Sequence, residues 1–364
     1  MSNKKTIFLT GATGLIGSYL LKIFLENDYK VYALCRRKNG KSAEKRTIEL
    51  LDFWNGRKNI PTLDNLKILE GDITRKDLSL SRKAKNLIIE EIDEIFHSAA
   101  ITEINRLLNE VRRVNVEGTK NVLDLAIECS KKGKLKKVNH LSTAYICGKY
   151  KNTFKETDLD VGQKFNSTYE QSKFEAEEVV EEYRKKDLWI DIFRPAIVVG
   201  ELATGKIFRF RNVYNFIHLC ELGIFNTLPV LDSYISLVPV DIVAKIICEI
   251  SKYSKEKNRN FHTFPKERIS LEDILNKTSA VMGFKKPKAV SIDKFNLNKI
   301  TSVQRAILRN SIFSVNLDAK FDTTYTANVL EKYGFNIPQF NEQTFLTIVK
   351  YFANEKYVNQ MSIK

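Results

Sequence analysis

The chain has 364 residues, 43% of them hydrophobic and 28% charged, with only 15 Gly and 7 Pro, which excludes fibrous repeats and long disordered linkers and leaves one large α/β domain or two medium ones. Its 59 Lys and Arg against 44 Asp and Glu give a net charge of +15, which favours acidic partners. Cys35, Cys129, Cys147, Cys220 and Cys248 show no CxxC spacing and the four histidines do not cluster with them, so a disulfide scaffold is excluded and reduced thiols without a metal site are expected.

At the N-terminus the lysines lead straight into an apolar strand, Thr6 to Thr10, without the pattern of a signal peptide. No run of about 18 apolar residues follows, so no transmembrane segment and a cytoplasmic location are expected. The strand ends in Thr10, Gly11, Ala12, Thr13, Gly14, Leu15, Ile16 and Gly17, a TGxxGxxG run opening a helix whose apolar positions Leu15, Ile16, Tyr19, Leu20, Ile23 and Phe24 repeat at helical spacing. In that context Gly11 permits a tight turn, Gly14 lets backbone approach a pyrophosphate and Gly17 lets the helix pack on the sheet. Gly11, Thr13, Gly14, Leu15 and Ile16 are thus candidate dinucleotide contacts; the competing reading is a packing turn.

The second strand, Val31 to Cys35, runs into Arg36, Arg37 and Lys38, with Arg46 further on. An NAD site places a carboxylate here for the ribose 2′-hydroxyl. Three cations instead suit a 2′-phosphate, so Arg36, Arg37 and Arg46 are candidate NADPH contacts, against solvated surface charge. After the third strand, Leu66 to Glu70, the turn Gly71-Asp72-Ile73 places Asp72 as a candidate near the adenine amine or as a plain turn residue.

The fourth and fifth strands are read at Glu94 to Ala99 and Lys137 to Ser142, and the sixth at Ile190 to Arg194. Strands alternating with helical runs predict a doubly wound parallel Rossmann sheet, α/β in class. Between the last two, Tyr169 and Lys173 share a helix face at i and i+4. An ammonium beside a phenol stabilises phenolate and lowers its pKa from the ordinary value of about 10, which makes Tyr169 a usable proton donor or acceptor near neutrality, whereas an isolated YxxxK is commonly an exposed pair. Ser142-Thr143-Ala144-Tyr145 sets a hydroxyl at the carboxyl edge of the sheet, where open α/β folds bind ligands. Past Gly200, the aromatic stretch Glu201 to Tyr234 reads as a lid, followed by a return from Ser236 to Phe264 and a lysine-rich tail with helices around Leu271 to Met282 and Thr344 to Phe352. The expected domains are residues 1–200 with 236–265, binding NADP, and residues 201–235 with 266–364, binding substrate.

Taken together, TGxxGxxG, His97-Ser98-Ala99-Ala100, Asn115-Val116-Glu117-Gly118-Thr119, the Ser142-Thr143 strand end, YxxxK and Arg194-Pro195 make residues 5–265 resemble the extended short-chain dehydrogenases/reductases. The stretch from Val31 to Arg46, Gly71-Asp72-Ile73-Thr74 and Ser142-Thr143-Ala144-Tyr145 look like its thioester reductase and fatty acyl-CoA reductase branch. The resemblance implies that Thr143, five before Gly148, bonds the substrate oxygen, Tyr169 shuttles the proton, Lys173 binds the nicotinamide ribose and Asn115 supports a proton relay. Asp72, Ile73, Ala99 and Ala100, with Pro195 and Ile197, would line the cofactor site together with Tyr169 and Lys173. The implied reaction is NADPH-dependent reduction of an acyl thioester to an aldehyde, or onward to the alcohol.

The substrate would arrive as a CoA ester or on an acidic carrier protein, steered by Arg209, Arg211, Lys285, Lys286 and Lys288. A homodimer through sheet-flanking helices follows by fold analogy. Nucleic acid is not an expected partner, since no basic stretch is interleaved with aromatics. The alternatives are a sugar-nucleotide epimerase or hydroxysteroid-type dehydrogenase, which should carry an acidic second-strand end, and a non-catalytic NADP(H) sensor, which needs no intact Thr143, Tyr169 and Lys173.

Overall fold

The computed structural model describes residues 4–56, 63–104, 106–309, 315 and 317–361. Seven strands form the main sheet: β1 (Thr6–Thr10), β2 (Lys30–Cys35), β3 (Leu66–Glu70), β4 (Glu94–His97), β5 (Lys137–Leu141), β6 (Ile190–Arg194) and β7 (Asn260–His262). Their order is β7-β6-β5-β4-β1-β2-β3, and every pairing from β3 to β6 is parallel. The fold expectation is therefore met. Ile7, Phe8 and Leu9 of β1 are fully buried, as befits a central parallel strand covered on both faces.

The helices α1 (Leu15–Glu26), α2 (Ala43–Asn55), α3 (Arg82–Glu91), α4 (Leu108–Asn115), α5 (Glu117–Lys132) and α6 (Thr168–Arg184) connect the strands. Two strands stop short of their expected ends. Beyond His97, the Ala99 amide turns to the Thr10 hydroxyl at 3.3 Å. Beyond Leu141, the Tyr145 amide turns back to Thr143 Oγ1 at 3.3 Å, opening a 3₁₀ turn at Ala144–Cys147. At Ala99 a side chain thus takes the amide that a longer β4 would pair, whereas after β5 the Ser142 amide still reaches the Phe193 carbonyl at 2.7 Å and the chain leaves the sheet only beyond it.

The chain divides into two compact units: Met1–Ile146, Thr168–Arg194 and Ala244–Phe261 form one, and Cys147–Ser167, Pro195–Val243 and His262–Lys364 the other. The expected boundaries differ in assigning residues 147–167, 195–200, 236–243 and 262–265 to the dinucleotide domain. Long-range pairing explains the first of these. Thr153–Phe154 lies parallel to Lys320–Phe321, and the buried Glu156 carboxylate accepts the amides of His262, Tyr325 and Thr326 and the Thr326 hydroxyl, at the start of a helix spanning Thr324–Lys332.

The aromatic stretch contributes core to the second unit. Tyr214 and Phe216 are buried, Phe210 meets Phe352 edge-on at 4.9 Å, and the Tyr214 hydroxyl accepts the Gly200 amide.

Candidate active site

The first turn after β1 is built around glycine. Gly11 has φ +75°, and a Cβ on it would come within 2.5 Å of the Ala99 nitrogen. On Gly17 a Cβ would stand 2.1 Å from the Gly11 carbonyl oxygen, so α1 can lie close to this turn only without a side chain there. Gly14 precedes α1 and no side chain caps the helix. Its first amides are directed at the carboxyl edge of the sheet with the positive end of the helix dipole, an arrangement suited to a pyrophosphate.

Beside this turn, Arg46 on α2 donates to the Arg36 carbonyl at 2.5 Å and to the Thr13 hydroxyl at 3.1 Å. It ties the second-strand end to the glycine turn. Arg36 reaches toward Asp72 at 3.9 Å, and both are partly exposed. Arg37 turns away, with its Nε 3.3 Å from Glu70. The structure thus gathers Thr13, Arg36, Arg46 and Asp72 and leaves Arg37 outside.

Asp72 also accepts the Thr74 amide at 2.9 Å, the geometry of an Asx turn. Ile73 is buried; its side chain packs where a Cβ on Gly118 would stand, and Asn121 holds its carbonyl at 2.7 Å. That contact accounts for glycine in the Asn115-to-Thr119 run.

Thr143 and Tyr169 meet through a side-chain hydrogen bond. The phenol, however, is shifted opposite to the sequence expectation. Burial pushes Tyr169 up to about 12, and the Thr143 bond offsets this only in part. The Lys173 Nζ donates to the Leu141 carbonyl at 2.8 Å. Burial lowers the Lys173 ammonium to about 8, opposed by the charge of Glu177. Tyr169 therefore stays protonated through the neutral range.

Asn115 forms a clamp. Its amide donates to the Ile101 carbonyl at 3.0 Å and the Ser172 hydroxyl at 2.9 Å, and its oxygen accepts the Ile101 amide at 2.8 Å. It thereby fixes the loop after β4, which carries Ala99 and Ala100, against α6. His97 bridges Thr10 and Thr119 at 2.7 and 3.0 Å, and burial keeps it neutral at about 3. Pro195 and Ile197 belong to the second unit, where Ile197 pairs with Leu237.

Sequence reasoning missed Glu177 and His140. Glu177 lies one helical turn beyond Lys173 and binds Arg194 through Nη2 at 2.6 Å, both side chains being fully buried. The i, i+4, i+8 spacing of Tyr169, Lys173 and Glu177 was the available signal.

A family model described as male sterility protein matches residues 9–247. The chain is 23% identical over 375 residues to a linear gramicidin synthase chain of Brevibacillus parabrevis, covering 97% of this chain and 7% of that protein. It is 29% identical over 287 residues to fatty acyl-CoA reductase 1 of Gallus gallus, covering 69% and 55%. It thus spans less than two thirds of either relative. The crystal structure of the terminal R domain from the myxalamid PKS-NRPS biosynthetic pathway superposes with a TM-score of 0.81 at 23% identity, over 98% of this chain and 92% of that one, a likeness of fold. With the glycine turn, the Thr143–Tyr169 pair and Lys173 all inside the matched span, the chain belongs to the male sterility protein family of NAD-binding proteins.

Proposed function

We propose that this chain is an NADPH-dependent reductase of acyl thioesters, releasing a thiol and an aldehyde. The observation that carries the reading is the Thr143–Tyr169 hydroxyl pair, with Lys173 on the same helix, at the carboxyl edge of a sheet that opens on a glycine turn. The names of two relatives, a fatty acyl-CoA reductase and a linear gramicidin synthase, support a thioester over a sugar nucleotide. So does the cationic second-strand end.

The residues present fit the cofactor. The uncapped α1 N-terminus suits the pyrophosphate, Arg46 and Arg36 the 2′-phosphate, and Lys173 the nicotinamide ribose. When bound, NADPH supplies the reducing equivalents. Thr143 and Tyr169 donate to the thioester carbonyl oxygen and stabilise the negative charge that develops on it. Tyr169, held protonated by burial, delivers the proton where the oxygen requires one, and Asn115 keeps α6 at its place. The acyl group arrives on CoA or on an acidic carrier protein, drawn by the net positive charge.

Incubation with NADPH and a panel of acyl-CoAs and UDP-sugars tests the reading. Fall of NADPH absorbance with one thiol released per aldehyde formed is expected from the acyl-CoAs. Turnover of a UDP-sugar without thiol release would replace this reading with the epimerase one. For the cofactor, Arg46→Ala removes a charged donor worth about 1.5–3 kcal/mol, so fluorescence titration should show NADPH binding weakened about 10- to 100-fold with NADH binding little changed. An equal loss for both would place the 2′-phosphate elsewhere.

A further inference from the structure

Strand β5 grips Lys173 twice. Its Nζ lies 2.8 Å from the Leu141 carbonyl oxygen and 3.4 Å from Nε2 of His140. His140 is fully buried, and burial, then the charge of Lys173, holds its ring well below the ordinary imidazole range. It is neutral. An ammonium has only donors, so Nε2 must offer its lone pair and the ring proton must sit on Nδ1, which has no hydrogen-bond partner among the described residues. With Leu141 and His140 each taking one ammonium hydrogen, the direction of the third is set.

Building on the reductase reading above, we propose that His140 is a positioning residue for Lys173, its Nε2 accepting one ammonium hydrogen and so keeping the lysine charged and oriented at the reaction centre.

The other groups facing Lys173 are otherwise engaged. On α6, Tyr169 bonds Thr143, and Glu177 gives both oxygens to Arg194 of β6, at 2.6–3.2 Å. Glu177 therefore acts on Lys173 through charge. On β4, His97 is neutral, bridges two threonines, and has its ring 5.3 Å from that of His140. Arg184, also on α6, touches the balance only by its charge on His140. Asn115 has its amide on Ile101 and Ser172. Burial has already brought the Lys173 ammonium to about 8, so losing one acceptor alters the charged fraction in the working range.

The test follows the ¹³Cε signal of Lys173, assigned by its disappearance in Lys173→Met, through an alkaline titration of the full chain. His140→Leu should lower the inflection, raising the ionisation constant about tenfold. His140→Gln, which offers a carbonyl oxygen, should restore it. The alkaline limb of NADPH oxidation should move in the same order. An unmoved inflection in His140→Leu, or the same displacement in both variants, overturns the proposal. Should His140→Leu fail to fold, the ¹⁵N-histidine spectrum of the native protein decides: an unprotonated Nε2 supports the assignment and a protonated Nε2 overturns it. Because these spectra need no turnover, a chain that reduces no thioester would sink the reductase reading while the role of His140 is judged separately.

Discussion

Tyr169→Phe should lower thioester-dependent NADPH oxidation by about 10²- to 10⁴-fold, the range for losing a positioned general acid, while NADPH binding and the melting temperature stay close to those of the parent. The ring remains to fill the same volume; only the hydroxyl that bonds Thr143 is removed. Because burial pushes that phenol up to about 12, the native residue is a donor throughout the neutral range. The variant should therefore be inactive at every pH from 6 to 9, without recovery on the alkaline side. Steady-state kinetics with an acyl-CoA, run beside a fluorescence titration of NADPH, checks both halves. Near-parental turnover would remove Tyr169 from the chemistry and pass the donor role to Thr143.

Glu177→Ala should destabilise the protein by about 3–5 kcal/mol, because it leaves the fully buried Arg194 guanidinium without its carboxylate. Urea unfolding gives the measurement, and a change under about 1 kcal/mol would mean that Arg194 finds another partner. The double variant Glu177→Leu, Arg194→Met should recover most of the loss, since apolar replacement of both members of a buried pair is often neutral. It also separates two effects. The Glu177 charge opposes the burial that lowers Lys173, so both variants should shift the alkaline limb of activity to lower pH even where stability is regained.

Much of the cofactor end was legible from residue types at short spacing. The TGxxGxxG run is a statement about backbone: a left-handed Gly11 and a Gly17 with no room for a Cβ follow from local geometry that few other residues satisfy. The strands were legible because a buried parallel strand is a short apolar run. The end of β4 was not, since the Thr10 hydroxyl that captures the Ala99 amide beyond it belongs to β1, some 89 positions earlier.

The sequence by itself determined the α/β class, the glycine turn, the cationic second-strand end and the i, i+4 relation of Tyr169 and Lys173, all of which depend on neighbours within a few residues of one another. Only the tertiary structure decided which cations share the turn, choosing Arg36 and Arg46 over Arg37, because that depends on how Glu70 of β3 aligns beside β2. It also decided that burial, which no spacing records, raises Tyr169 and lowers Lys173, and that residues 147–167 join a tail whose partners lie some 170 positions later. The reason is the same in each case: electrostatics and long-range pairing are set by what folding brings close and removes from water, and a linear pattern carries neither distance nor burial.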